Sequence, residues 1–376
     1  MRFLAQSGPL ALLALTVSLA SSLSLPHSFS SLFRQQQIPI TDASSQAGSG
    51  TALLPYRLVH QFPFPFYIEA IHVRDNGDLL VTTVAPTASI WYLAGVKPGP
   101  PVVTRLAEFQ NINVASAIVE TEQTDIFLFI GGNQTTLGAG VDHTYSVYEL
   151  DISQGLDKPI ISERVRMTDA RFCVAIEPLP GRPSQYLVTD TRGGIIWKVD
   201  ATAGTYERAL QDEIMKPPVW APIKFGINNA HVRDGYVYWP NGFLGQIYRN
   251  EITEEGFPVA GTQKELVKEI RAVFTDGMAF DPSGRDLLWV ASNANNQLLA
   301  VPFQGDVVTV LGASDESLLP GPVEMAFGKL PGDTQTLYVV TCGAMVNPIN
   351  GTFVEGGKIV AVDTSSFVIP GQENEL

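Results

Sequence analysis

The residues able to do chemistry stand just before, or inside, a set of short apolar runs. Glu69, Asp276 and Glu324 are carboxyls that can trade protons with a bound molecule. Arg171, Asn228, Asn229 and His231 carry N–H groups that can polarise an oxygen as charge develops on it. Beside them stand apolar side chains: Phe66, Tyr67, Phe172, Phe225, Trp239, Phe243 and Met345. The plainer reading keeps its place for each group: the carboxylates can cap loop amides, the aromatics can be ordinary core, and His231 can be a satisfied structural histidine. Cys173 and Cys342 stand in units that face each other across a ring, too far apart for a disulfide, so free thiols are expected. A Cys–His nucleophile pair with His231 is a further option. The chain has no G-x-S-x-G elbow, phosphate loop or H-E-x-x-H helix.

What must position these residues is a repeat. Strand-like runs such as DLLVTTV (78–84), DIFLFIGG (125–132), QYLVTDT (185–191), GYVYWPNG (235–242), DLLWVASN (286–293) and TLYVVTCG (336–343) recur at intervals of roughly 45 to 60 residues, the period of propeller blades. Each follows a small-residue run, among them IEAIHV (68–73), NNAHVR (228–233) and GMAFDP (277–282), and each precedes a second β-rich run. Ala70, Ala117, Ala175, Ala230, Ala279 and Ala326 recur in the first run, as expected where blades crowd an axis. The turns DNG (75–77), DG (234–235) and PSG (282–284) close the first hairpins. A fourth run completes five units but is missing from the last. The N-terminal PYRLVHQF (55–62) supplies it, and pairing it with the final unit removes two free sheet edges. The expectation is an all-β chain: a six-bladed β-propeller closed by an N-terminal strand. The competing architecture is a β-sandwich with a second domain. Loops entering the innermost strands and leaving the second strands gather at one mouth, where a site is expected.

Composition narrows the partners. The 376 residues carry a formal charge of −14, which argues against nucleic acid. Residues 1–20 read as a secretory signal peptide: Arg2, then an apolar run too short to span a bilayer, then small residues near Ala20. Residues 21–50 read as a flexible leader, and 51–376 as one propeller domain. No later segment is apolar enough for a membrane span, so the expected place is the secretory pathway or outside the cell. The sequons at Asn133 and Asn350 are candidate glycosylation sites. The oligomeric state is left open.

With NNAHVRDGYVYWPN, TDGMAFDPSG and GGKIVAVD in view, the chain resembles the SMP-30/gluconolactonase-type propellers over about residues 55–364. That resemblance implies a metal-dependent lactonase, with Ca or Zn held by Glu69, Asn229 (or Asn228) and Asp276. Carboxylate and amide oxygens suit a hard cation. The blade-three position departs from the pattern, because Arg171-Phe172-Cys173-Val174 offers no asparagine. Within that group the chain resembles the secreted fungal hetero-Diels–Alderases of tropolone–sesquiterpene meroterpenoid pathways. This second likeness implies apolar small-molecule substrates, a tropolone quinone methide and a humulene-type olefin, and no cofactor. The mouth aromatics would then enclose the reactants, and Glu69, Arg171, Asn228, Asn229, His231 and Asp276 would supply donors or acid.

Overall fold

A computed structural model describes residues 54–97, 99–272 and 274–372. The signal peptide and leader expected over 1–50 lie outside the described residues. The described residues form six four-stranded antiparallel sheets. In blade one the strands run Tyr67–Val73, Leu79–Ala85, Ser89–Ala94 and Val102–Glu108, from the axis outward. The same order repeats in blades two to five. In blade six the outermost strand is Tyr56–Gln61, paired with Lys358–Asp363. The N-terminal strand therefore closes the ring, as expected. Among the described residues the helical content is two short 3-10 turns, Glu213–Met215 and Asn293–Asn295, and no helix is long and apolar enough to cross a membrane.

Strand chemistry explains the radial order. Second strands are buried on both faces, as in the all-buried Leu287–Ser292, and read as unbroken apolar runs. Outer strands face solvent: Ile160–Arg166 is exposed or half-buried at every position but Val165. Ala70, Ala117, Ala175, Ala230 and Ala279 are all buried near the axis. Hydroxyls stitch neighbouring blades together. Thr82 Oγ1 donates to Ser116 O (2.9 Å), Ser116 Oγ to Cys173 O (3.1 Å), and Thr189 Oγ1 to Asn228 O (2.6 Å). Each such bond contributes about 1 kcal/mol net and fixes the spacing between blades.

Blade four departs from the expected pattern. Its innermost strand is only His231–Arg233 rather than the whole run 228–233. It pairs with Tyr236–Tyr238, and beyond its end, level with Asn228 and Asn229, stands Pro240, which has no N–H to offer the ladder. Asn228 instead reaches back with its own N–H to Pro240 O (3.2 Å). Asn228 and Asn229 thus sit on irregular backbone at the mouth, free to aim their amides along the tunnel.

Candidate active site

The innermost strands of blades one, two, three, five and six all shift register near the mouth. A bulge leaves a residue unpaired and re-aims its side chain. In blade one the residue passed over, between Ile68 and Ala70, is Glu69. In blade five, Asp276 and Gly277 fall between the paired Thr275 and Met278. Both carboxyls are thereby turned into the tunnel mouth. Gly277 has a further part: a Cβ there would lie 2.5 Å from Val323 O and 2.8 Å from Glu324 Cα, so glycine is what lets the blade-six backbone, and Glu324 with it, approach this closely.

Glu69 and Asp276 line a pocket together with Tyr67, Phe172, Phe225 and Phe274. Behind them runs a polar network. Asp276 accepts from Asn228 Nδ2 (2.7 Å) and from Asn293 Nδ2 (3.0 Å). Glu324 accepts from Asn229 Nδ2 and from the Met325 N–H (2.9 Å). The Tyr67 hydroxyl is hydrogen-bonded to Glu69. Deeper in the tunnel, His231 Nδ1 lies 3.1 Å from Glu177 Oε2, and Nε2 lies 2.7 Å from Met278 O. Both partners are acceptors, so the ring suits the doubly protonated form.

Burial sets the charge states. Burial, helped by the charge on Glu324, lifts Glu69 to about 7, against the opposing Tyr67 hydrogen bond. Burial lifts Glu324 to about 7, although His231 and the Met325 and Asn229 donors oppose it. Burial, then Glu69 and Glu324, hold Asp276 well above the usual carboxyl range despite its two amide donors. Burial works against a charge on His231, but Glu177 beside it lifts the ring to about 9. Carboxyls crowded out of water cannot all ionise, so near neutral pH the cluster retains protons it can donate. Burial also pushes the Cys342 thiol up to about 12 and raises Cys173, and both cysteines are free and buried. Neither has the thiolate a nucleophile needs, and His231 is already committed to Glu177 and Met278.

The opposite wall is apolar. Phe172 packs edge-on against Phe225 (5.1 Å), Phe225 against Phe274 (5.6 Å), and Phe274 stacks on Phe243 (5.0 Å). Met345 is buried in the same cluster, with Val114. Each such side chain, fully buried, contributes about 1.5–3 kcal/mol.

Of the residues singled out in the sequence, Tyr67, Glu69, Phe172, Phe225 and Asp276 line the pocket. Asn228 holds Asp276 of that lining, Asn229 holds Glu324 behind it, and Phe243 braces Phe274. His231 lies below, bonded to Glu177. Three others are placed elsewhere. Trp239 is fully buried within blade four, stacked on Tyr248 (4.8 Å) with its Nε1 donating to Asn250 Oδ1 (2.9 Å). Phe66 turns away to stack on Phe62 (5.2 Å) and meet Trp91 (5.6 Å). Arg171 is exposed, and it is its backbone N–H that is used, bonded to Asp190 Oδ2 (3.0 Å). Asn350 is exposed near a hairpin tip, whereas the Asn133 side chain accepts the Asn113 N–H (3.2 Å). The residues not foreseen are Leu137, Ile223 and Phe274 in the lining and Glu177 behind it. Apolar side chains inside connections were the available signal.

The pocket does not fit a cation as it stands. Asp276 spends both oxygens on amides, and Asn229 Oδ1 accepts the Ala230 N–H (2.7 Å). Blade three offers Cys173 and Val174, which bring no oxygen. Among the described residues no group of three His, Cys, Asp or Glu is placed to hold a metal ion.

Similarity searches agree with this architecture. No family model matches the chain. In solved structures, a luciferin-regenerating enzyme superposes with a TM-score of 0.60 at 12% identity, covering 83% of this chain and 96% of its own. Regucalcin from Agrobacterium tumefaciens, a calcium-binding protein, superposes with a TM-score of 0.55 at 13% identity, covering 82% and 95%. At that identity the likeness speaks for the fold alone. A Sarocladium schorii relative, "Putative hetero-Diels-Alderase asR5", is 28% identical over 85% of this chain and 87% of its own length. A Phoma sp. relative, "Putative hetero-Diels-Alderase", is 31% identical over 313 residues, 78% of this chain and 88% of the relative. With a described blade order and a pocket of carboxyls facing aromatics, the chain belongs to the hetero-Diels–Alderase family of six-bladed propellers.

Proposed function

We propose that this protein couples a tropolone quinone methide to a humulene-type olefin by hetero-Diels–Alder cycloaddition. The observation that carries the reading is the division of one pocket into a proton-holding side and an aromatic side. Phe172, Phe225 and Phe274 offer the apolar surface against which a flat electrophile and an apolar ring would lie, in a cavity that must widen to take them. Holding two partners in register supplies most of the acceleration such a reaction needs. Glu69, lifted to about 7 and so about half protonated near neutral pH, faces the same space. When the quinone methide forms from a hydroxylated precursor, the Glu69 proton leaves with the hydroxyl as water and the tropolone O–H proton returns to the carboxylate; reprotonated, Glu69 donates a hydrogen bond to the oxygen of the heterodiene. Tyr67, kept a neutral phenol by burial, spends its one proton on Glu69 and so orients that carboxyl. Asn228 and Asn293 position Asp276, and Asn229 positions Glu324.

The test is direct. Purified protein is added to the hydroxylated tropolone precursor and the olefin. The expected result is a faster reaction and a skewed diastereomer ratio relative to buffer. An unchanged rate and ratio would overturn the reading.

A further inference from the structure

Two connections meet over the pocket. One is Asn133–Val141, between the second and third strands of blade two. It folds as its own small hairpin: Gln134 and Gly140 pair, Thr135 N–H donates to Ala139 O (2.9 Å), and Gly138 N–H donates to Gln134 Oε1 (2.9 Å). The other is Lys216–Phe225, between blades three and four. Pro217, Pro218 and Pro222 stiffen it. Ala221 N–H donates to Pro218 O (2.9 Å), and Lys224 Nζ donates to Val219 O (3.1 Å) and Ala221 O (3.2 Å). The base of each tip is tied to the ring: Asn113 Nδ2 donates to Gln134 O (2.9 Å), Arg192 Nη1 to Gly140 O (2.7 Å), and Asn241 Nδ2 to Lys216 O (3.1 Å), so any movement is confined to the ends beyond these bonds.

The tips touch through apolar surface. A Cβ on Gly138 would lie 2.4 Å from Ile223 Cγ2 and 3.1 Å from Phe225 Cε2. Leu137, Gly138, Ile223 and Phe225 together roof the pocket. Beneath that roof the cavity is about 20 Å³, room for about one water. Drug-sized ligands need pockets of roughly 300–1,000 Å³. On the outside of the second connection Val219 is 95% exposed and Trp220 40%.

We propose that these two connections are the port of the pocket. They part to admit an apolar, ring-containing small molecule and close on it through the Gly138–Ile223 contact, so that the side chain at 223 sets the size of partner accepted. The idea rests on the reading above that this pocket is where coupling occurs, but its test does not depend on coupling.

The test staples the port. From a Cβ built at Gly138 to Ile223 Cβ is 3.8 Å, within the span of a disulfide, although Gly138 holds φ +79°, a conformation that strains a cysteine. The double variant Gly138→Cys/Ile223→Cys is oxidised, and uptake of the neutral fluorophore prodan is followed by stopped flow before and after dithiothreitol. Oxidation is expected to slow uptake by roughly ten-fold or more, and reduction to restore it, as for other gated sites. The single-cysteine variants are expected to show no such redox dependence. Equal uptake by the cross-linked and the reduced double variant, whether fast or absent, overturns the proposal; if strain at position 138 keeps the two cysteines from cross-linking, the Ile223→Ala variant decides. As a check that needs no new bond, Ile223→Ala is expected to take up prodan several-fold faster than wild type, and an unchanged rate counts against the port. Redox-gated uptake in a protein that leaves the coupling unchanged would retain the port and remove the pericyclase. Coupling that the staple leaves untouched would do the reverse.

Discussion

The two halves of the tunnel mouth are built from one blade plan and do opposite things. Blades one, five and six bring Glu69, Asp276 and Glu324 to the axis, and blade four brings the amides that hold two of them. Blades two and three bring Val114 and Phe172, and their connections add Leu137 and Phe225. The same register shift near the mouth operates on both sides: it exposes a carboxyl in blade one and leaves Val174 out of the ladder in blade three. The scaffold thus settles where a side chain emerges, and the residue type at that point decides whether the wall stores protons or packs against carbon.

Removing the proton side is the most severe way to break this contrast. Glu69→Gln keeps the shape and deletes the acid. The coupling rate is expected to fall by about 10²–10⁴-fold in single-turnover assays. A wild-type rate would show that the acidic half is structural. Trimming the apolar side comes next. Phe225→Ala is expected to lose about 3 kcal/mol of stability in denaturant titrations and to flatten the diastereomer ratio. A variant equally selective would detach the aromatic wall from the chemistry.

A third expectation sharpens the electrostatic half. Folded Glu69 titrates near 7 rather than at its ordinary 4.5, so the native state holds a proton that the unfolded chain has already lost between those values. Stability therefore falls as pH rises through that window. His231 acts in the same direction: raised from 6.5 to about 9, it stabilises fully below 6.5 and loses that contribution as pH rises through 9. Tm is expected to drop from pH 5 to pH 9, and His231→Gln to shrink the part of the drop above pH 7. The coupling rate should decline as Glu69 ionises above about 7. A flat or rising Tm profile would remove this account. The smallest expected effect is that of a chelator: EDTA should leave the rate unchanged. Loss of the rate that Ca or Zn restores would show that coupling needs a metal, and metal-dependent hydrolysis of a lactone would favour the lactonase reading.

Much of the fold was legible in the sequence because its signals are local. Alternation, small-residue runs and DG-type turns need only a few neighbours, and Tyr56–Gln61 stood out because the last unit lacked a strand. Blade four was overdrawn because the effect of Pro240 lies across the ladder from the residues it unpairs. The site was half legible. Glu69, Asp276, Phe172 and Phe225 lie where the repeat puts the mouth, while Trp239 shares their composition signal and is spent on Tyr248. Ile223 and Leu137 lay in connections, where strand periodicity has nothing to say.

What the sequence by itself determined is therefore the ring: number, order and closure of blades follow from repetition along the chain. What only the tertiary structure decided is which side chains share a space. Glu69, Asp276 and Glu324 are far apart in sequence, and their common burial, which raises all of them, exists only once the ring brings blades one, five and six to one axis. Proton affinity in such a cluster depends on distance and lost solvent, and neither is written in any one segment.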